Sequence, residues 1–160
     1  MTAHRDTWGT NIAAQTNWWA PLFETTPERT LLLYPGYFAR AVANNSTGWD
    51  FKAMLRAHQS GDTSHYPLLP TSQEALPPDE GLAISLLPGD LLCFSGAHLH
   101  ASVPNTTAAT RLSFKTRTVN RDDAMADYGA PNVDGGAVYT TYSLFRNVEN
   151  GHKLGSLQPR

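Results

Sequence analysis

The sequence predicts a mainly β protein, a sandwich, barrel or jelly roll with one or two short helices, folded as a single domain. Three observations carry this. Eleven prolines and twelve glycines break the 160 residues into short pieces. The apolar runs left between them have strand length rather than helix length. Turn signals separate the runs: Pro88-Gly89-Asp90, Ser95-Gly96 and "PNTTAAT" at 104–110. Many short strands with turn chemistry between them are the pattern of all-β architectures.

The elements follow in order. "IAAQTNWWAPLF" (12–23) is an aromatic and apolar run, and "RTLLLYPGYF" (29–38) is a shorter one closed by Pro-Gly. In the first, alternation puts Gln15, Asn17 and Trp19 on one face, equally suited to a polar cavity or to an outer surface. Tyr34 and Tyr37 close the second, Tyr34 as a packing residue and Tyr37 within reach of a ligand. "GWDFKAMLRAHQS" reads as the one clear helix, near 50–59, with Asp50 as its N-cap and Phe51, Met54, Leu55 and His58 at helical spacing. The stretch 60–80 has four prolines and little periodicity and reads as a surface connection. Four further runs complete the strands: "GLAISLLPGD" (81–90), "DLLCFSG" (90–96), "HLHASVP" (98–104) and "TRLSFKTRTVN" (110–120). In the last, Arg111, Ser113, Lys115 and Arg117 fall on one face and Leu112 and Phe114 on the other, with Lys115 and Arg117 expected to face solvent at the rim. "YGAPNVDGGAV" (128–138) has loop composition, with Asn132 and Asp134 candidates for a lid, and "YTTYSLFRNV" is expected to be a last strand.

Composition narrows the function classes. The formal net charge is −2, only 16% of residues are charged and there is no basic stripe, so nucleic acid is not an expected partner. No apolar run approaches the roughly 18 residues a membrane span needs, and the N-terminus has no apolar signal segment. The single cysteine, Cys93, lies in an apolar run and is expected in the core, which fits a reducing compartment. The expectation is a soluble cytoplasmic protein, in which the sequons at Asn44, Asn45 and Asn105 carry no meaning.

His4 and Asp6 flank Arg5 near the N-terminus, His100 comes 94 residues after Asp6, and Arg111 comes eleven after His100, with Ser113 two further on. On a strand, residues i and i+2 share a face, so His4 and Asp6 can grip one metal from one side. A histidine from another strand completes two imidazoles and a carboxylate, the facial set of non-haem Fe(II) oxygenases, which leaves positions open. A 2-oxoacid fills two of them and oxygen the third. Arg111 suits a bidentate pair with a distal carboxylate, and Ser102 or Ser113 can add a hydrogen bond. His98 competes with His100 for the ligand position. "GAHLH" is also similar to the His-x-His of metal-binding cupins, but the glutamate that pattern requires three to five residues later is missing from "ASVPN". His100 is therefore the expected ligand and His98 its neighbour. His58, His65 and His152 read as surface.

The whole pattern, His4-x-Asp6 … His100-x10-Arg111-x-Ser113, resembles that of Fe(II)/2-oxoglutarate-dependent dioxygenases. "HASVPNTTAATR" and "LLLYPG" are similar to the phytanoyl-CoA dioxygenase branch. The resemblance covers roughly residues 4–117. It implies a double-stranded β-helix, with Fe(II) held by His4, Asp6 and His100 and 2-oxoglutarate anchored by Arg111. Trp19 would fall where a tryptophan lines the 2-oxoglutarate pocket. The reaction it implies is hydroxylation of a small-molecule substrate by molecular oxygen. Members of that family carry a hundred or more residues before the His-x-Asp, whereas three precede His4 here. The first barrel strand is thus expected to be nearly absent. The chain is then the C-terminal portion of a longer oxygenase, or is supported by another subunit in a homo-oligomer, a dimer. The alternative is a non-catalytic cupin-like β-barrel that binds metal or ligand, or an inactive fragment of an oxygenase.

Overall fold

A computed structural model describes residues 3–61 and 66–154. Among these residues six strands form two three-stranded antiparallel sheets. β1 (Gln15–Pro21) is central to the first, between β4 (Leu92–Ser95) and β6 (Ser113–Val119). β2 (Leu31–Leu33) is central to the second, between β3 (Leu82–Ile84) and β5 (His100–Ser102). The described residues form no closed barrel. Helices are few and short: α1 (Thr7–Thr10), α2 (Phe51–Gln59) and α3 (Arg121–Met125).

Alternation explains the packing. Trp19 and Phe94 from the first sheet meet Leu31 and Leu33 from the second in one buried cluster, with Ile84, Leu86 and Leu92 at its margin. Each such side chain contributes about 1.5–3 kcal/mol by leaving water. The reverse face of the second sheet, Leu32 and Ala101, packs on a second cluster with Trp8, Tyr34, Tyr37, Val42 and Leu99. Tyr37 is therefore a packing residue. In β1 the burial alternates strictly, and Gln15, Asn17 and Trp19 all turn inward.

α2 starts where the N-cap places it: the Asp50 carboxylate accepts hydrogen bonds from the Lys52 and Ala53 amides. Other expectations are corrected. Cys93 is exposed, because its neighbour Phe94 takes the inward position of β4 and a period of two sends Cys93 out. The segment 139–148 is not a strand; it holds a short 3-10 turn, Tyr142–Leu144, and a single bridge from Arg146 to Lys153. Phe114 in β6 and Leu112 just before it, which share the face opposite Lys115 and Arg117, are 59% and 49% exposed. The opposite face carries Lys115 and Arg117, which remain partly exposed while their charged ends reach buried Asp6. His65 and the rest of 62–65 lie outside the described residues.

Candidate metal centre

His4 lies in a one-residue bridge to β5, its amide and carbonyl both bonded to those of His100 at 2.9 Å. Side chains of such a directly opposed pair stand on one face, and the two rings are 4.3 Å apart between centroids. Asp6 is not on a strand. It occupies the N-cap position of α1 with its side chain free of any capping bond, and the single turn ends at Asn11 in the left-handed conformation that asparagine tolerates. This turn brings the Asp6 carboxylate to the histidines, with Oδ1 3.6 Å from His4 Nε2. One ligand atom from each of His4, Asp6 and His100 lies within 4.8 Å of the others, and all three residues are buried.

Arg5 explains why the pair is split. Its side chain runs the other way, buried, and donates to the carbonyls of Ala97, Tyr37 and Arg40 and to the Asp134 carboxylate. Asp134 also accepts from Trp8 Nε1 at 2.6 Å and from the Val42 amide at 3.0 Å. It is thus an anchor for the His-x-Asp segment and not a residue of a free lid.

His100 has a defined tautomer. Its Nδ1 is 2.9 Å from the His98 carbonyl, which accepts a hydrogen bond and so can pair only with an N–H. Nε2 then carries the lone pair, and it is buried without a partner among the described residues. Burial, with the neighbouring His4, pushes the His100 pKa down to about 3, so the ring stays neutral, as a metal ligand must be. The His98 ring itself stacks against Phe38 at 4.6 Å.

Burial alone would raise the Asp6 pKa. The hydrogen bond with His4, the electrostatic pull of the His100 ring and the positive charges of Lys115 and Arg117 outweigh it and hold the carboxyl well below the usual range. Lys115 Nζ is 3.3 Å from Oδ2 and Arg117 Nη2 3.1 Å from Oδ1, where solvent-facing side chains were expected. Gln15 Nε2 donates to Asn17 Oδ1 at 2.9 Å and reaches Asp6 Oδ2 at 3.4 Å. A Cβ at Gly96 would come within 3.0 Å of that Gln15 amide, so only glycine fits without a shift. The strand alternation did place Lys115, Arg117, Gln15 and Asn17 on single faces; which face turned inward was not readable from it.

Arg111 donates to the Thr30 carbonyl at 2.7 Å and to Ser102 Oγ at 3.1 Å. The structure brings these two together on the β5 side. Trp19 lies in the core between the sheets, opposite Lys115 in the β1–β6 ladder, and Ser113 is exposed at the start of β6.

No protein-family model and no curated protein matches this chain. Among solved structures it is similar to EvdO2 from Micromonospora carbonacea var. aurantiaca. One EvdO2 structure matches at 18% identity and a TM-score of 0.49, covering 72% of this chain and 43% of that one. The structure of EvdO2 complexed with 2-oxoglutarate matches at 17% identity and a TM-score of 0.50, covering 75% of this chain and 47% of that one. The likeness is one of fold. The chain spans less than half the length of EvdO2. No helix among the described residues is long and apolar enough to cross a membrane.

Proposed function

We propose that this chain is the metal-binding part of an Fe(II)- and 2-oxoglutarate-dependent oxygenase with a double-stranded β-helix, jelly-roll fold, acting on a small molecule. The observation that carries the reading is the convergence of His4, Asp6 and His100, buried, from two segments far apart in the chain. Two imidazoles and one carboxylate without thiolate suit iron, and the orphaned His100 Nε2 fits a ligand whose partner is a cation. The fold shared with EvdO2, which is complexed with 2-oxoglutarate in one structure, supports the second cofactor. The narrower likeness to the phytanoyl-CoA dioxygenase branch rests on the sequence pattern alone.

Fe(II) with 2-oxoglutarate and oxygen would supply the oxidising power to hydroxylate a C–H bond. The chain's residues have the remaining tasks. The His98 carbonyl holds the His100 tautomer, Asp6 stays ionised, and burial keeps bulk water from the ligands. Arg111, backed by the Ser102 hydroxyl, offers its planar fork to a distal carboxylate; Trp19 would wall the same pocket, and Ser113 would donate at its mouth. The lone Cys93 supports a reducing, cytoplasmic setting, and the open edge of β6 supports a homodimer.

One observation favours the non-catalytic, cupin-like reading: Lys115 and Arg117 already pair with the carboxylate that a metal would need. Calorimetric titration of Fe(II), anaerobically, and then of 2-oxoglutarate decides between them. The oxygenase reading expects one metal per chain, with 2-oxoglutarate binding that depends on it. Metal binding without any 2-oxoglutarate binding would give the site to the cupin-like reading.

A further inference from the structure

A cavity of about 740 Å³ opens against β6 and the segment 144–154. Four of its lining side chains are cations, Lys115, Arg117, Arg121 and Arg146, and none of its described lining residues is acidic. Leu144, Phe145 and Val148 give it an apolar side. Lys115 and Arg117 join this cavity to the metal centre, because both reach Asp6 while their side chains remain about one-third exposed, 34% and 37%. Directly across the ladder from Arg117 stands Asn17. It is fully buried, its Oδ1 is taken by Gln15, and its Nδ2 donor has no partner among the described residues.

We infer that Lys115 and Arg117, with the Asn17 amide, form a subsite for an anionic group on the substrate, and that the substrate is an organic anion with an apolar body. The inference rests on the metal reading above. Without metal, Asp6 is the one carboxylate among the described residues that Lys115 and Arg117 share. A divalent cation on Asp6 takes over that carboxylate and repels both cations, leaving two positive charges facing a cavity with no acid in its described lining, and an unused N–H donor buried directly across the ladder from Arg117. An oxyanion satisfies all three, through charge-assisted hydrogen bonds. The apolar side of the cavity would take the rest of the molecule. Metal and anion then bind with positive coupling, and linkage requires that each raise the other's affinity by the same factor. The distal carboxylate of 2-oxoglutarate is assigned to Arg111, so the subsite belongs to the substrate.

The probe is benzenesulfonate, an always-ionised, weakly coordinating anion with an apolar ring, and benzyl alcohol is its neutral counterpart. Both are titrated calorimetrically into the full chain loaded with Ni(II) and saturated with 2-oxoglutarate. Benzenesulfonate is expected to bind at least tenfold more tightly than benzyl alcohol, and more tightly with Ni(II) than without. The double variant Lys115→Gln/Arg117→Gln should lose at least tenfold in sulfonate affinity while its Ni(II) affinity holds or rises, since two competitors for Asp6 are gone. That retained Ni(II) binding shows that the variant is folded. Asn17→Ala should weaken the sulfonate severalfold, and Arg56→Ala on α2 should change nothing. Equal sulfonate affinity in wild type and double variant overturns the inference, as does displacement of the sulfonate by 2-oxoglutarate, which would give the two cations to the cofactor. Failure of the wild type to bind Ni(II) at all would instead remove the metal reading beneath it.

Discussion

Arg5 is where a short, common motif acquires rigidity. Two residues either side of it are ligand candidates, and its guanidinium spends its donors on three carbonyls and Asp134. Removing one partner of a buried pair leaves the other charge uncompensated, typically at about 3–5 kcal/mol. Arg5→Ala should therefore lower the unfolding free energy, read by urea denaturation, by that order and weaken metal binding with it. At the metal itself, His100→Ala should abolish binding, whereas His98→Ala keeps the carbonyl that bonds His100 Nδ1 and should cost only a few-fold; calorimetry with Ni(II) reads both. Full metal occupancy in His100→Ala would remove the assignment. Arg111→Ala should weaken 2-oxoglutarate binding by roughly ten- to a hundredfold, since a charge-assisted hydrogen bond is worth about 1.5–3 kcal/mol, and leave metal binding nearly intact. Lysine at that position should restore only part of the loss, having no planar fork. Acid should act through His100. Its folded pKa of about 3 lies below the ordinary 6.5, so between those values the unfolded chain binds the extra proton. Stability of the metal-free protein should then fall as pH drops from 6.5 toward 3 and be insensitive to His100 above 6.5. The lowered pKa of Asp6 has its effect elsewhere: its contribution is present above 3.8, the ordinary value, and is lost only below it. Urea denaturation at pH 7 and pH 4.5, with His100→Asn as the variant that loses the slope, checks the sign.

At the scale of elements, what could be read from the sequence was what depends on neighbours along the chain. The N-cap at Asp50 and the helix after it, the alternation of β1 and the turns at Pro-Gly and Ser-Gly are local, and each lies where its residues predict. What could not be read depends on which sheet face meets the other sheet. In β6 a charged face and an apolar face alternate equally well, and hydrophobicity alone argues for Phe114 inward. The structure instead directs the ends of Lys115 and Arg117 to buried Asp6, which needs counterions, while Trp19 and Phe94 fill the core position. Cys93 was misplaced for the same reason. Asp6 was expected on a strand; it sits on one turn of helix, a break in periodicity too short for a pattern to register. The pairing of Arg5 with Asp134 spans 129 residues, beyond any local signal. A clean separation between element stability and site chemistry follows. Asp50→Ala should cost about 1 kcal/mol by removing the cap of α2 and leave metal affinity unchanged. Loss of metal binding in that variant would mean that α2 supports the centre directly.

For the whole molecule, the outer face of the first sheet holds large apolar side chains against water. Trp18, Cys93 and Thr116 lie across one another in the ladder, Ala20 pairs with Phe114, and the Leu22 amide bonds the Leu112 carbonyl. Leu22, Leu112 and Phe114 are all about half exposed, at 56%, 49% and 59%. A contiguous apolar face on a sheet whose outer strand, β6, has an open edge is what proteins cover with another element or another copy. The expected outcome is concentration-dependent self-association of this chain through that face. Sedimentation velocity across a wide concentration range should show a dimer that Phe114→Glu shifts toward monomer. The same substitution should leave Ni(II) affinity intact, because Phe114 points away from Asp6 while its neighbour Lys115 points toward it. A wild-type chain that stays monomeric at high concentration would mean that the face is tolerated in water, and the β6 edge would then lose its role in assembly. A variant that dissociates and also loses metal would tie the centre to the dimer, with the covering copy needed to hold β6, and therefore Lys115 and Arg117, against the first sheet.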